Sequence, residues 1–104
     1  MRKIDELRLR RKELAAEIRT AKAWLKTAPK DPKVTLNEYS WAMFNLHTKK
    51  VEARHLHIAY CELMGKTREQ IEPKVREGHA PDQSQINHYK ALYAWEIPTQ
   101  EALT

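Results

Sequence analysis

From Leu36 to Met64 the chain runs twenty-nine residues without a glycine or a proline. As a helix this stretch would be roughly 44 Å long, about the span of a small domain, so the rest of the chain has to be arranged along it. Thr35-Leu36-Asn37-Glu38 opens it as a capping box, the Thr35 hydroxyl accepting from Glu38 and Glu38 able to bond back. Gly65 closes it, where a left-handed residue ends many helices. Up to Val51 its apolar residues form a broad stripe of Leu36, Tyr39, Met43 and Leu46, with Trp41, Phe44 and Val51 beside it. From Leu56 to Met64 they go almost all the way round, through Ile58, Ala59, Tyr60, Cys61 and Leu63. A helix apolar on every side needs cover on every side. The spacing therefore predicts a central helix with one half in a hairpin and the other in a small bundle.

A first helix is expected over about 2–26. Ile4, Leu7, Arg11, Leu14, Ile18, Ala21 and Leu25 alternate at three and four residues, a heptad seam with one polar break at Arg11. Arg11 is expected to reach Glu38 or Glu52 on the facing helix, or to carry its head outward over an apolar stem. Leu9 and Trp24 lie off the seam. Pro29 and Pro32 stop this helix and stiffen a short connection, which returns the chain antiparallel and carries Lys30 and Lys33 into solvent. After Gly65, Thr67-Arg68-Glu69-Gln70 is a second capping box, opening a short helix over about 67–77 that carries Ile71, with Pro73 limiting or restarting it and Val75 as a further anchor. Gly78 and Pro81 lead to a last helix over about 83–96, with Ile86, Tyr89, Leu92, Tyr93 and Ile97 available for burial. Residues 98–104 read as a frayed tail. The expectation is an all-α fold: a long antiparallel hairpin with a small C-terminal helical cap, in one domain over 1–97.

Function is less legible. The single cysteine excludes an internal disulfide. No leader pattern and no run of about 20 apolar residues is present, so the simplest reading is a soluble, cytoplasmic protein without a membrane role. His57 and Cys61 share a helix face four residues apart, and His79, His88 or Glu62 are candidates to complete a zinc site. Cys61 is better read as an apolar packing residue, and no metal or cofactor is expected. Cys61 with a histidine would make a nucleophilic pair, yet no orienting third group, oxyanion hole or Gly-rich turn accompanies it, so no catalytic residue and no small-molecule substrate are expected either.

The strongest functional signal is charge. Net charge is +5, yet residues 1–33 hold eleven Lys/Arg and five Asp/Glu, while 34–104 hold eight and nine. Such asymmetry points to an acidic partner surface or nucleic acid. The candidate partner-binding residues are Arg8, Arg10, Arg11, Lys12, Arg19, Lys22, Trp24, Lys26 and Lys30. The expected function is that of a non-enzymatic interaction protein, an inhibitor or adaptor that binds a larger nucleic-acid-processing complex through this basic face. Short, basic, catalytically empty helical chains resemble in type the accessory proteins of phages and mobile elements. The alternative is direct DNA or RNA binding, through helix 1 or through a helix-turn-helix-like C-terminal region with Gln83, Gln85, Asn87 and Lys90 as readers. Two features weigh against the reader helix: a long connection before it, and five Lys/Arg balanced by five Asp/Glu over 65–97.

Overall fold

A computed structural model gives the structure, which describes residues 2–93. Among these the elements are α1 (Lys3–Thr27), a 3-10 turn (Ala28–Lys30), α2 (Leu36–Leu63), α3 (Arg68–Ile71) and α4 (Gln83–Tyr93). The expected end of the last helix near 96, the burial of Ile97 and the reading of 98–104 as a tail lie outside the described residues. The fold is all-helical: α1 and α2 form the long antiparallel hairpin, and α3 and α4 cap one end of it. No described helix is long and apolar enough to cross a membrane.

Local chemistry sets the helix ends. Thr35 accepts from the backbone N–H of Glu38 at 3.1 Å, while Thr67 and Gln70 close a capping box in both directions. Gly65 and Gly78 have φ of +93° and +78°, a conformation other residues adopt only with strain. In the hairpin turn the Asp31 carboxylate accepts from the N–H of Lys33 at 2.9 Å, a local bond that bends the chain where Pro29 and Pro32 forbid helix. The predicted helix over 67–77 is corrected to a single turn. Pro73 cannot donate and forces Glu72 out of the helical region, to φ −132° and ψ 82°. Val75 beyond it is exposed and anchors nothing.

The seam is where the sequence places it. Ile4, Leu7 and Leu14 are buried with Leu56 of α2, and Ala53, Tyr60, Leu63, Tyr89 and Tyr93 pack around them. Ile58 and Ala59 are buried against Ile86 of α4, and Tyr89 touches both clusters. Fully burying a side chain of this size contributes roughly 1.5–3 kcal/mol, so the five wholly buried ones, Leu7, Leu14, Leu56, Ile58 and Ile86, concentrate stability at the capped end. One buried histidine ties α4 in. His55, 4% exposed, lies with Nδ1 2.7 Å from the Val51 carbonyl, and its Nε2 accepts from the N–H of Asp82 at 2.8 Å. The carbonyl can only accept, so Nδ1 carries the proton, and one neutral tautomer satisfies both bonds. Asp82 in turn caps α4, accepting from the Ser84 N–H and hydroxyl.

The other end is thinner. Only Leu46 of the Leu36–Leu46 stripe is buried, with Leu36 79% and Met43 51% exposed. Facing it, α1 offers Ala15, Ala16, Ala21 and Ala23 and few large apolar residues. The hairpin therefore leaves the compact head as an arm. The radius of gyration is 17.1 Å and the extents are 62 × 36 × 19 Å, against about 13 Å of gyration radius for a compact chain of this size.

Leu14→Asp places a carboxylate at a position 1% exposed. It is expected to cost on the order of 3–5 kcal/mol, whereas Leu36→Ser on the arm should stay within about 0.5 kcal/mol. Chemical denaturation of both variants checks the pair, and equal losses would contradict the division into head and arm.

Candidate functional site

The candidate partner-binding residues do not form one surface. Relative to the seam at 4, 7, 11, 14, 18, 21 and 25, the residues one position earlier and one position later lie on opposite sides of α1, about 100° from it in each direction. The earlier set is Lys3, Glu6, Arg10, Glu13, Glu17, Thr20 and Trp24. The later set includes Arg8, Lys12, Ala15, Arg19, Lys22 and Lys26. This places Arg10 and Trp24 on one flank and most of the remaining cations on the other.

The first flank faces α4, and its cations are paired internally. Arg10 bonds Glu52 of α2 at 2.7 Å and Glu17 at 3.4 Å, and Lys3 pairs with Glu6 at 3.1 Å. Glu6 does not take Arg10, its neighbour at i,i+4, because Glu52 offers the better-covered partner. Burial raises the Tyr89 and Tyr93 hydroxyl pKa values, Glu52 adds to both, and Arg10 opposes it. Beyond Glu17 this flank is an open groove of about 550 Å³ over Ala16, Thr20, Ala21, Ala42 and Asn45, with Trp24 along it. Further round α2, Trp41 and Phe44 meet edge to face at 6.0 Å and are 65% and 59% exposed.

The second flank is basic and concave. Arg11, Ala15, Ile18, Arg19, Ala53 and His57 line a hollow of about 340 Å³. Arg8, Leu9, Arg11, Lys12 and Ala15 line another of about 560 Å³. The two share Arg11 and Ala15 and so adjoin one another. Arg11 reaches neither Glu38 nor Glu52, because its place on the seam faces Tyr60 and His57 across the interface. Its guanidinium lies 4.6 Å from the Tyr60 ring centroid and 2.9 Å from Nδ1 of His57. Arg8 donates to the Tyr60 hydroxyl at 3.1 Å and to Asp5 at 3.0 Å. Both arginines are thus held in place at the head end of the hollow. Further out, no ion pair among the described residues engages Lys12, Arg19, Lys22, Lys26 or Lys30.

The arm carries the whole excess of charge. Residues 18–50 contain Arg19, Lys22, Lys26, Lys30, Lys33, Lys49 and Lys50 against Asp31 and Glu38, a balance of +5. In the head, Arg54, Glu62, Arg68, Glu72 and Lys90 meet partners. Arg54 grips Glu72 with two bonds of 2.8 and 3.0 Å, which hold its carboxyl below the usual range. Burial pushes Glu62 up, but bonds from Arg68 at 2.7 Å and Lys90 at 3.1 Å outweigh it and leave its carboxyl lowered. The would-be reader residues belong to this head network. Gln83 accepts from Arg68 at 2.7 Å and donates to Asn87 at 2.9 Å, and Lys90 holds Glu62. Gln85 is exposed at the start of α4. Eleven residues separate α3 from α4, where a helix-turn-helix uses three or four.

Cys61 is buried with its sulfur 3.8 Å from both ring nitrogens of His57. Among the described residues no group of three His, Cys, Asp or Glu gathers as a metal site would require. A guanidinium only donates, so Nδ1 of His57 is the acceptor of Arg11 and the ring is neutral. The residue that reasoning from sequence missed as part of the basic surface is His57. The signal available for it was the one-turn offset from Ala53, which packs against the α1 seam and puts 57 on the face turned to α1.

Burial, and then the nearby Arg11 charge, lower the His57 pKa below its ordinary 6.5. The folded chain therefore binds this proton more weakly than the unfolded chain. The contribution to stability is complete above about 6.5 and is lost as pH falls through the lower folded value. Asp5, Glu62, Glu72 and Asp82 are lowered carboxyls and act only below about pH 4.5. Between pH 7.5 and 5.5 the melting temperature should fall with pH, and His57→Gln should flatten that slope. An equal slope in the variant would contradict the assignment.

Comparison with known proteins finds no family model, no curated protein and no solved structure that matches this chain.

Proposed function

We propose that this is a non-enzymatic binding protein that attaches to an acidic protein surface, of the kind presented by a larger assembly that handles nucleic acid, and modulates it as an inhibitor or adaptor. The head holds the hairpin together, and the basic flank of α1 makes the contact. One observation carries the reading: Arg8, Arg11, Lys12 and Arg19 line two adjoining hollows beside the seam, and the cations beyond them, Lys22 and Lys26, continue the same stripe without an ion pair among the described residues. Neutralised surface pairs contribute little to recognition, whereas a one-sign stripe steers an oppositely charged partner and fixes its register.

Direct nucleic-acid binding is the competing reading, and salt separates the two. A contact to about six phosphates should weaken on the order of a thousandfold between 50 and 200 mM salt.

Reversing Arg19, Lys22 and Lys26 to Glu is the informative change, because these side chains lie off the seam and their loss should leave the fold intact. Arg8 and Arg10 are unsuitable, since they bond Tyr60 and Glu52 across the interface. Capture of partner chains from cell lysate should fall at least tenfold for the triple variant and stay unchanged for Lys74→Glu with Arg76→Glu on the head, circular dichroism confirming both folds. Loss in the head variant alone, or tight salt-sensitive retention of duplex DNA by the wild type, would overturn the reading.

A further inference from the structure

We propose that the basic flank of the hairpin receives an acidic amphipathic helix of a partner protein, seated by one aliphatic side chain between two carboxylates. This rests on the reading of the flank as the contact surface and specifies what lies on it.

The stripe has an order. Going outward along α1 it runs Arg8, Lys12, Ala15, Arg19, Lys22 and Lys26, at intervals of four, three, four, three and four residues. At the helical rise this spans about 27 Å, the length of a helix of about eighteen residues. Cations flank a single neutral position, Ala15, and there the surface is hollow. Ala15 lines both adjoining hollows, with Ile18 and Ala53 as apolar floor beside Arg19 in one and Lys12 at the edge of the other. A ligand that fits must present an anionic group, an apolar group and a second anionic group at steps of about 5 Å, the distance advanced in one helical turn. One stripe of an amphipathic helix does this, with carboxylates seven residues apart and an aliphatic side chain between them.

The same order disfavours the other anionic partners. A nucleic-acid strand presents phosphate at every step and bases that seek aromatic faces. The aromatic ring at this flank, Tyr60, already lies under Arg11 and Arg8, while Trp24 lines the groove on the opposite flank. A second copy of the chain meeting this flank with its own same flank would set one stripe of like charge against another. The small residues at 15 and 53 favour a helix for a further reason: they let another helix axis approach to the short end of the usual 8–10 Å range.

The test separates charge from shape by changing Ala15, which is exposed and lies off the seam. The probe is a designed eighteen-residue helical peptide with Glu at positions i and i+7 and Leu at i+4. Companion probes replace that Leu by Gln or both Glu by Lys, and a twenty-residue oligothymidylate and phosphatidylglycerol vesicles complete the set. The Glu-Leu-Glu peptide should bind at least tenfold tighter than either companion peptide. Ala15→Lys raises the positive charge of the flank yet fills the hollow, and should weaken that peptide at least fivefold. Unchanged or tighter peptide binding by Ala15→Lys would overturn the inference while leaving the basic flank as a contact surface. Oligothymidylate or vesicles bound more tightly than the peptide would overturn it in favour of those partners. Peptide binding that survives reversal of Arg19, Lys22 and Lys26 would remove the flank reading itself.

Discussion

The contact of Leu7 and Leu14 with Leu56 is the interaction on which the rest of the structure depends. It fixes α1 against the C-terminal half of α2, the half that is apolar all round. Tyr89 and Tyr93 of α4 then cover this contact, and Ile86 covers Ile58 and Ala59 on the next face. Because the pairing is antiparallel and the deep contacts lie at one end, the hairpin's other end has to project. The arm follows from where the large side chains are, with no need for a special device in the loop.

The seam also divides the charges. With α1 held in one orientation, the positions on its two sides face different surroundings. Arg10 lies toward α4 and pairs with Glu13, Glu17 and Glu52, so carboxylates outnumber cations on that side. Arg8, Lys12, Arg19, Lys22 and Lys26 lie on the other side, where α2 lines the hollow with Ala53 and His57 and no carboxylate. Solvent screens such charges from each other at ordinary ionic strength, so the fold tolerates them. A partner that excludes the water between them would experience the stripe as a strong field.

Much of this was written in the sequence. Helix caps at Thr35 and Thr67, the stops at Gly65 and Pro29, and the seam from Ile4 to Leu25 all follow from local chemistry and period. The division of the basic run was also there, one residue to either side of the seam. Reading Arg8, Arg10, Arg11 and Lys12 as one block concealed it. Other features needed the third dimension. Periodicity shows that Leu36, Met43 and Leu46 share a face, but not that only Leu46 finds cover. Arg11 could have met several residues by spacing, and the choice of Tyr60 and His57 depends on the rotation of α2. The pairing of Gln83 with Arg68, which draws a would-be reader into the head, joins residues fifteen apart through a loop whose path no propensity sets.

Native-state amide hydrogen exchange most directly tests whether the head carries the fold while the arm stands free as a binding surface. The amides of Leu56 to Cys61 should exchange only through global unfolding. Those of Leu36 to Phe44 should exchange by local opening, at least a hundredfold faster, since sparsely packed segments open at lower free energy. Uniform protection along the whole of α2 would contradict the account, because the arm would then have to be held by contacts that the seam and the head do not provide.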